Sequence, residues 1–140
     1  MAKRSSTDYI VIHCTATRPS MDIGFTEVDA WHRHRGFLGC GYSVIIRRDG
    51  TIEEGRQIDD VGAHARGFNH NSIGIALVGG VTEDDIKTAE NNFTPEQFDT
   101  LSNVITTLQL SYPDTEVVGH RDLPDVQKSC PSFDVKKWLG

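Results

Sequence analysis

Three residues of types that bind zinc stand where a fold could bring them together: His13, His120 and Cys130. His13 closes the apolar run Tyr9-Ile10-Val11-Ile12, and His120 closes Val117-Val118-Gly119. Both runs read as buried strands, and the end of a strand is a rigid position facing the crevice where sites in α/β folds form. Cys130 follows His120 by ten residues and precedes Pro131 and a helix-forming segment. Two imidazoles and a thiolate are suitable zinc ligands. A three-ligand set leaves one tetrahedral position open for water, which separates catalytic from structural zinc. The long interval from His13 to His120 has no motif force of its own, and a histidine at a strand end is more often a hydrogen-bonded structural residue. Spacing alone leaves both readings standing.

The elements around these residues can be read from pattern. Phe25, Val28 and Trp31 recur at helical spacing up to Gly36, with Thr26 and Asp29 as a capping box and Trp31 as a core anchor. Gly39-Cys40-Gly41 stops that helix and leads into a strand, Tyr42 to Arg47, which turns at Arg48-Asp49-Gly50 into Thr51–Glu54 as a hairpin. Residues 55–72 form a polar, glycine-punctuated loop, and Ile73–Val78 is a third buried strand. Thr94-Pro95-Glu96-Gln97 starts a helix: Thr94 caps, Pro95 suits the first position and Gln97 completes the box. Phe98, Leu101, Val104, Ile105 and Leu108 make its apolar stripe, and Tyr112-Pro113 ends it. A last strand, 116–120, and a short helix, 133–139, follow. Strands alternating with helices, one hairpin among them, predict an α/β fold with a mixed central β-sheet flanked by helices.

Composition bounds the function. At 140 residues the chain reads as a single domain over 1–140, with a core of about 8–138 and no repeat or linker. Three cysteines, an odd number, argue against a disulfide framework, and Cys14 and Cys40 read as buried thiols. The net charge of −6 sets aside nucleic acid as the main partner. The acidic excess falls between residues 49 and 99 and reads as a solvated face. No stretch approaches the roughly 20 apolar residues that span a bilayer, and the basic start lacks a signal-peptide apolar core. The expectation is a cytoplasmic product with no membrane partner.

Five segments, in this order, carry a resemblance: His13-Cys14-Thr15-Ala16-Thr17, Gly41 to Gly50, Gly62 to Gly74, Asn92-Phe93-Thr94-Pro95, and Lys128-Ser129-Cys130-Pro131-Ser132-Phe133-Asp134. Together they resemble the zinc N-acetylmuramoyl-L-alanine amidases of the bacteriophage lysozyme (endolysin) type, whose superfamily includes the animal peptidoglycan-recognition proteins. The resemblance implies a zinc site in a surface groove, with one Zn²⁺ per chain held by His13, His120 and Cys130. It implies catalytic roles for Tyr42 and Lys128, and a substrate-bordering loop containing His64, Arg66 and Asn69. Ser43 departs from the family pattern, which has histidine directly after that tyrosine; alternation along a strand predicts that Ser43 faces away from Tyr42.

By the same resemblance the reaction is hydrolysis of the amide between N-acetylmuramic acid and L-alanine in bacterial peptidoglycan. The setting is phage-driven lysis of the host from its cytoplasm, by a separate release route. A monomer is expected, and inhibition of the phage RNA polymerase is a second role found in this family. Two other classes compete: a peptidoglycan-binding module that does not cut, whose relatives commonly lose the cysteine ligand, and a thiol enzyme with Cys130 as nucleophile. Among the remaining residues, His70 is expected to hydrogen-bond within its loop, His32 and His34 to face solvent or cap, and Trp138 to anchor the core.

Overall fold

The computed structural model describes all residues from Met1 to Gly140. Five strands build one sheet: β1 (Tyr9–Cys14), β2 (Val44–Ile46), β3 (Ile52–Glu54), β4 (Ser72–Leu77) and β5 (Glu116–Gly119). Their order across the sheet is β3-β2-β4-β1-β5. β1 runs parallel to both β4 and β5, β2 runs parallel to β4, and only β3 is antiparallel, as the expected hairpin partner of β2. The central strands are apolar on both faces because helices or loops cover both, so β1 and β4 read as continuous hydrophobic runs.

Helix α2 (Pro95–Ser111) and the short α3 (Val135–Leu139) cover one face. There Ile10, Ile12, Val44, Ile46, Ile73, Ile75 and Leu77 pack against Leu101, Ile105, Leu108, Phe133 and Val135. Alternate residues turn to the other face. Ile45 and Val78 meet Val28 of α1 (Phe25–His34), and Val11 and Val118 meet Ala65 and Leu123 from the connecting loops. His13 shares the parity of Val11, so its ring points to this second face, away from α2.

Helix α2 begins as the sequence predicts. The Thr94 hydroxyl accepts from the Gln97 amide at 3.1 Å, and Gln97 Oε1 accepts from the Thr94 amide at 3.0 Å. Gln97 does more than cap. It is fully buried, and its Nε2 donates to the carbonyls of Ile46 at 3.1 Å and Val78 at 2.9 Å, tying the helix start to the ends of β2 and β4.

Three local expectations need correction. α1 is capped by Gly24 with Glu27, whose carboxylate accepts from the Gly24 amide. The predicted Thr26–Asp29 box does not form, because the Asp29 carboxylate takes the Cys40 amide and pairs with Arg33. Trp31 is no core anchor: it is 42% exposed, since the buried stripe of this short helix runs through Val28 and His32, four residues apart. The second strand starts at Val44 and not at Tyr42. The backbone bends at Ser43, and that bend sends Tyr42 and Val44 to opposite faces although they are two residues apart.

Replacing Gln97 with Ala should destabilise the protein by about 2–4 kcal/mol, because two buried carbonyls lose their donor and the helix loses half its cap. Urea unfolding measures this, and a loss below about 1 kcal/mol would contradict the double role.

Candidate metal and catalytic site

Because β1 and β5 are adjacent and parallel, their ends lie side by side. Ile12 is in register with Gly119, so the next residue of each strand is a histidine. The His13 and His120 rings stand 4.5 Å apart between centroids. The chain leaves His120 through a short helical turn (His120–Asp122), stabilised by the Asp122 carboxylate accepting from the Gly119 amide at 2.8 Å. It then returns Cys130 to the end of β1, where the Cys14 amide donates to Cys130 Sγ at 3.2 Å. One ligating atom from each of His13, His120 and Cys130 falls within 4.8 Å of the others.

The donor set fits zinc. His13 Nδ1 and Cys130 Sγ are 3.8 Å apart. Two atoms bound tetrahedrally at about 2.0 Å (nitrogen) and about 2.3 Å (sulfur) are about 3.5 Å apart. The imidazoles are neutral, as ligands must be. Burial, followed by the facing His64 and His120, holds His13 well below the usual imidazole range, and burial followed by the Lys128 charge lowers His120. Next to Cys130 sits the buried Cys14 thiol, whose Sγ lies 3.8 Å from the Ser132 hydroxyl.

Tyr42 stacks obliquely between two histidines, with ring centroids 5.0 Å from His13 and 5.2 Å from His32. Burial, then the Cys130 sulfur, raises its phenol above the ordinary value, so it stays protonated and is a hydrogen-bond donor at neutral pH. Ser43 lines a hollow of about 480 Å³ between the β2–β3 hairpin and α2, bounded also by Val44, Ile58 and Val104. It therefore lies away from the Tyr42 ring. Lys128 is exposed in the segment leading to Cys130, and its charge is close enough to act on both His13 and His120.

The loop 62–71 has two kinds of residue. His64 lies against His13, with His64 Nδ1 2.8 Å from His13 Nε2, and burial pushes its imidazole down to about 3. Asn69 Oδ1 accepts from the amides of His64 and Ala65, both at 2.9 Å, and so holds the loop closed. Arg66 is exposed.

Sequence reasoning missed His32. Expected at the surface or in a cap, it is 7% exposed, and its Nδ1 accepts from the Gly41 amide at 2.8 Å, which fixes the backbone just before Tyr42. Its place four residues after Val28, on the same helix face, was the available signal.

Comparison with known proteins gives the family. The family model described as N-acetylmuramoyl-L-alanine amidase matches residues 3–133. The endolysin of Escherichia phage T7 is 46% identical over 136 residues, covering 97% of this chain and 87% of that protein. The endolysin of Enterobacteria phage T3 is 46% identical over 135 residues, 96% of this chain and 87% of its own. Among solved structures, the endolysin amidase LysCS from Clostridium intestinale superposes with a TM-score of 0.79 at 32% identity, covering 92% of this chain and 77% of that one. The chain belongs to the N-acetylmuramoyl-L-alanine amidase family. It is an amidohydrolase of the endolysin type, with peptidoglycan as its substrate.

The buried His32 gives a pH dependence. Burial lowers its pKa below the ordinary 6.5, so the unfolded chain binds this proton more readily than the folded one. Its share of stability is then complete above about pH 6.5 and is lost as pH falls towards the folded value, at a limiting rate of about 1.4 kcal/mol per pH unit. In metal-free protein, His32→Gln should flatten the decline in unfolding free energy between about pH 6.5 and 5, and an unchanged slope would refute a neutral, buried His32.

Proposed function

We propose that this amidase is zinc-dependent, with one ion held by His13 Nδ1, His120 and Cys130 Sγ, and that it cuts the amide between N-acetylmuramic acid and L-alanine. The observation that carries the reading is the convergence of two neutral imidazoles and a sulfur within 4.8 Å at the ends of two parallel strands. Without metal the adjacent Cys14 thiol, then burial, holds the Cys130 thiol well above its ordinary range. A zinc ion would displace its proton, and the Cys14 amide that donates to Sγ at 3.2 Å would serve the resulting thiolate. A zinc ion in such a site supplies a bound water acidified from about 15.7 to about 7 and a Lewis acid for the substrate carbonyl.

The protein's own groups do the rest. Tyr42, protonated and next to His13, donates a hydrogen bond to the carbonyl oxygen as negative charge builds on it. It can also relay a proton, taking one from the attacking water as it gives its own to the leaving amine. Lys128 brings a positive charge to the same oxygen; donors of this kind are worth roughly 2.7–4 kcal/mol each. Arg66, exposed and without an ion pair, is the residue of its loop whose charge is free to meet carboxylates of the peptide. His64 and Asn69 border the substrate from behind, engaged with His13 and with the loop backbone.

In this reading the protein acts as a monomer in lysis of the host cell from within. It reaches the wall by a separate release route, as the endolysin reading implies; no helix is long and apolar enough to cross a membrane. Binding to the phage RNA polymerase is a separable role, tested by pull-down with the purified polymerase.

Purified protein on bacterial sacculi should release peptides ending in free L-alanine and leave the glycan strands intact. A chelator should abolish this and added Zn²⁺ should restore it. Activity that survives chelation and dies with alkylating reagents would point to a Cys130 nucleophile. Intact sacculi despite one bound zinc per chain would point to a binding module. Tyr42→Phe and Lys128→Ala should each lower turnover roughly 10²- to 10³-fold with zinc content unchanged; loss of metal in either would overturn its assigned role.

A further inference from the structure

We propose that His64, backed by Ser72, is a positioning residue that locks His13 in the tautomer whose Nδ1 is free to bind metal. The proposal deepens the zinc reading given above and rests on it for its affinity arm alone.

Three short contacts run in line from the backbone to His13. Ser72 Oγ lies 2.6 Å from the Phe68 carbonyl oxygen, His64 Nε2 lies 3.2 Å from Ser72 Oγ, and His13 Nε2 lies 2.8 Å from His64 Nδ1. Only one set of proton positions satisfies all three. A carbonyl oxygen cannot donate, and two oxygens 2.6 Å apart need a proton between them, so the Ser72 hydroxyl donates to Phe68. The serine oxygen is then left to accept, and His64 Nε2 must carry the proton it accepts. A neutral imidazole protonated at Nε2 has a bare Nδ1, so the third contact needs His13 Nε2–H as its donor. That places the His13 proton on Nε2 and leaves Nδ1 as a lone pair, 3.8 Å from Cys130 Sγ. Without an acceptor behind it, His13 would be free to carry its proton on Nδ1, where it would block the metal.

The direction is fixed by rigid elements. Ser72 begins β4, in register with Tyr9 of β1, and Gly74 is in register with Val11. The His64 ring occupies a slot between two glycines. A Cβ at Gly74 would come within 2.6 Å of His64 Cγ, and one at Gly62 within 2.6 Å of its Cδ2. The rings of His13 and His64 meet edge to face, at 87° with centroids 4.9 Å apart. Asn69 clamps the backbone at His64 and Ala65. Packed between Gly62 and Gly74, the imidazole has no room to rotate away from His13.

The test has a direct arm and an affinity arm. ¹⁵N NMR of the histidine rings in metal-free wild-type protein should find both His13 and His64 protonated at Nε2. His64→Leu and Ser72→Ala should convert His13 to a mixture of tautomers. Competition against a chelating dye should then give zinc binding about 10- to 100-fold weaker in His64→Leu. His64→Gln, which keeps an acceptor towards His13 and a donor towards Ser72, should recover most of it. Finding the His13 proton on Nδ1 in the wild type would overturn the proposal, as would zinc affinity within twofold of wild type in a His64→Leu protein with an unchanged melting curve. If His64→Leu fails to fold, Ser72→Ala and the tautomer assignments decide in its place. Absence of zinc binding by the wild type would instead defeat the metal reading, and the tautomer result would still decide the role of His64.

Discussion

The site depends first on the pairing of β1 with β5. Two parallel strands in register must end at the same level, so one histidine placed one residue beyond the last paired position of each strand is enough to bring the imidazoles together. His13 lies within β1 itself, and His120 is the first residue after β5, at the start of a short helical turn. β1 is hydrogen-bonded on both sides, by β4 and β5, which makes His13 the most rigidly held group of the constellation. Cys130 arrives by a looser route, through the connecting segment after the turn at His120, and its place is secured by the backbone amide of Cys14.

Around that pair the protein buries imidazoles in neutral form and gives their nitrogens defined partners. His13 meets His64, His64 meets Ser72, and His32 meets the Gly41 amide. A buried polar group without a partner would cost 1–3 kcal/mol, so each of these contacts also fixes where a proton sits. Tyr42 benefits twice, from His32 holding the backbone before it and from the His13 ring beside it. The two helical faces divide the work. α2 and α3 bury the large apolar surface on one side of the sheet, and the opposite face, with α1 and the glycine-rich loop, holds the polar groups.

The strands, the cap of α2 and its apolar stripe were legible because each is a local pattern: β-branched runs for β1 and β4, Thr94-Pro95-Glu96-Gln97 for the helix start, and one side chain every three or four positions after it. The errors fell where a longer-range partner outbid a local one. Asp29 left its helix cap for the Cys40 amide, and Trp31 yielded the buried face of α1 to His32. Tyr42 reaches the site only through a bend at Ser43 that strand alternation does not anticipate. Gln97 looked like half of a cap and turned out also to tie α2 to two strand ends.

By itself the sequence determined the residue types available for chemistry, the family through five ordered segments, and the strands on which His13 and His120 end, because periodicity and turn residues are encoded over a few neighbouring positions. Only the tertiary structure decided that those strands are adjacent and that Cys130 returns to meet them. It also decided that His64 stands behind His13 with its proton directed by Ser72. The adjacency of β1 and β5 and the meeting of His13 with His64 and Cys130 arise from contacts between residues 51 to 117 positions apart, and no local pattern along the chain records them.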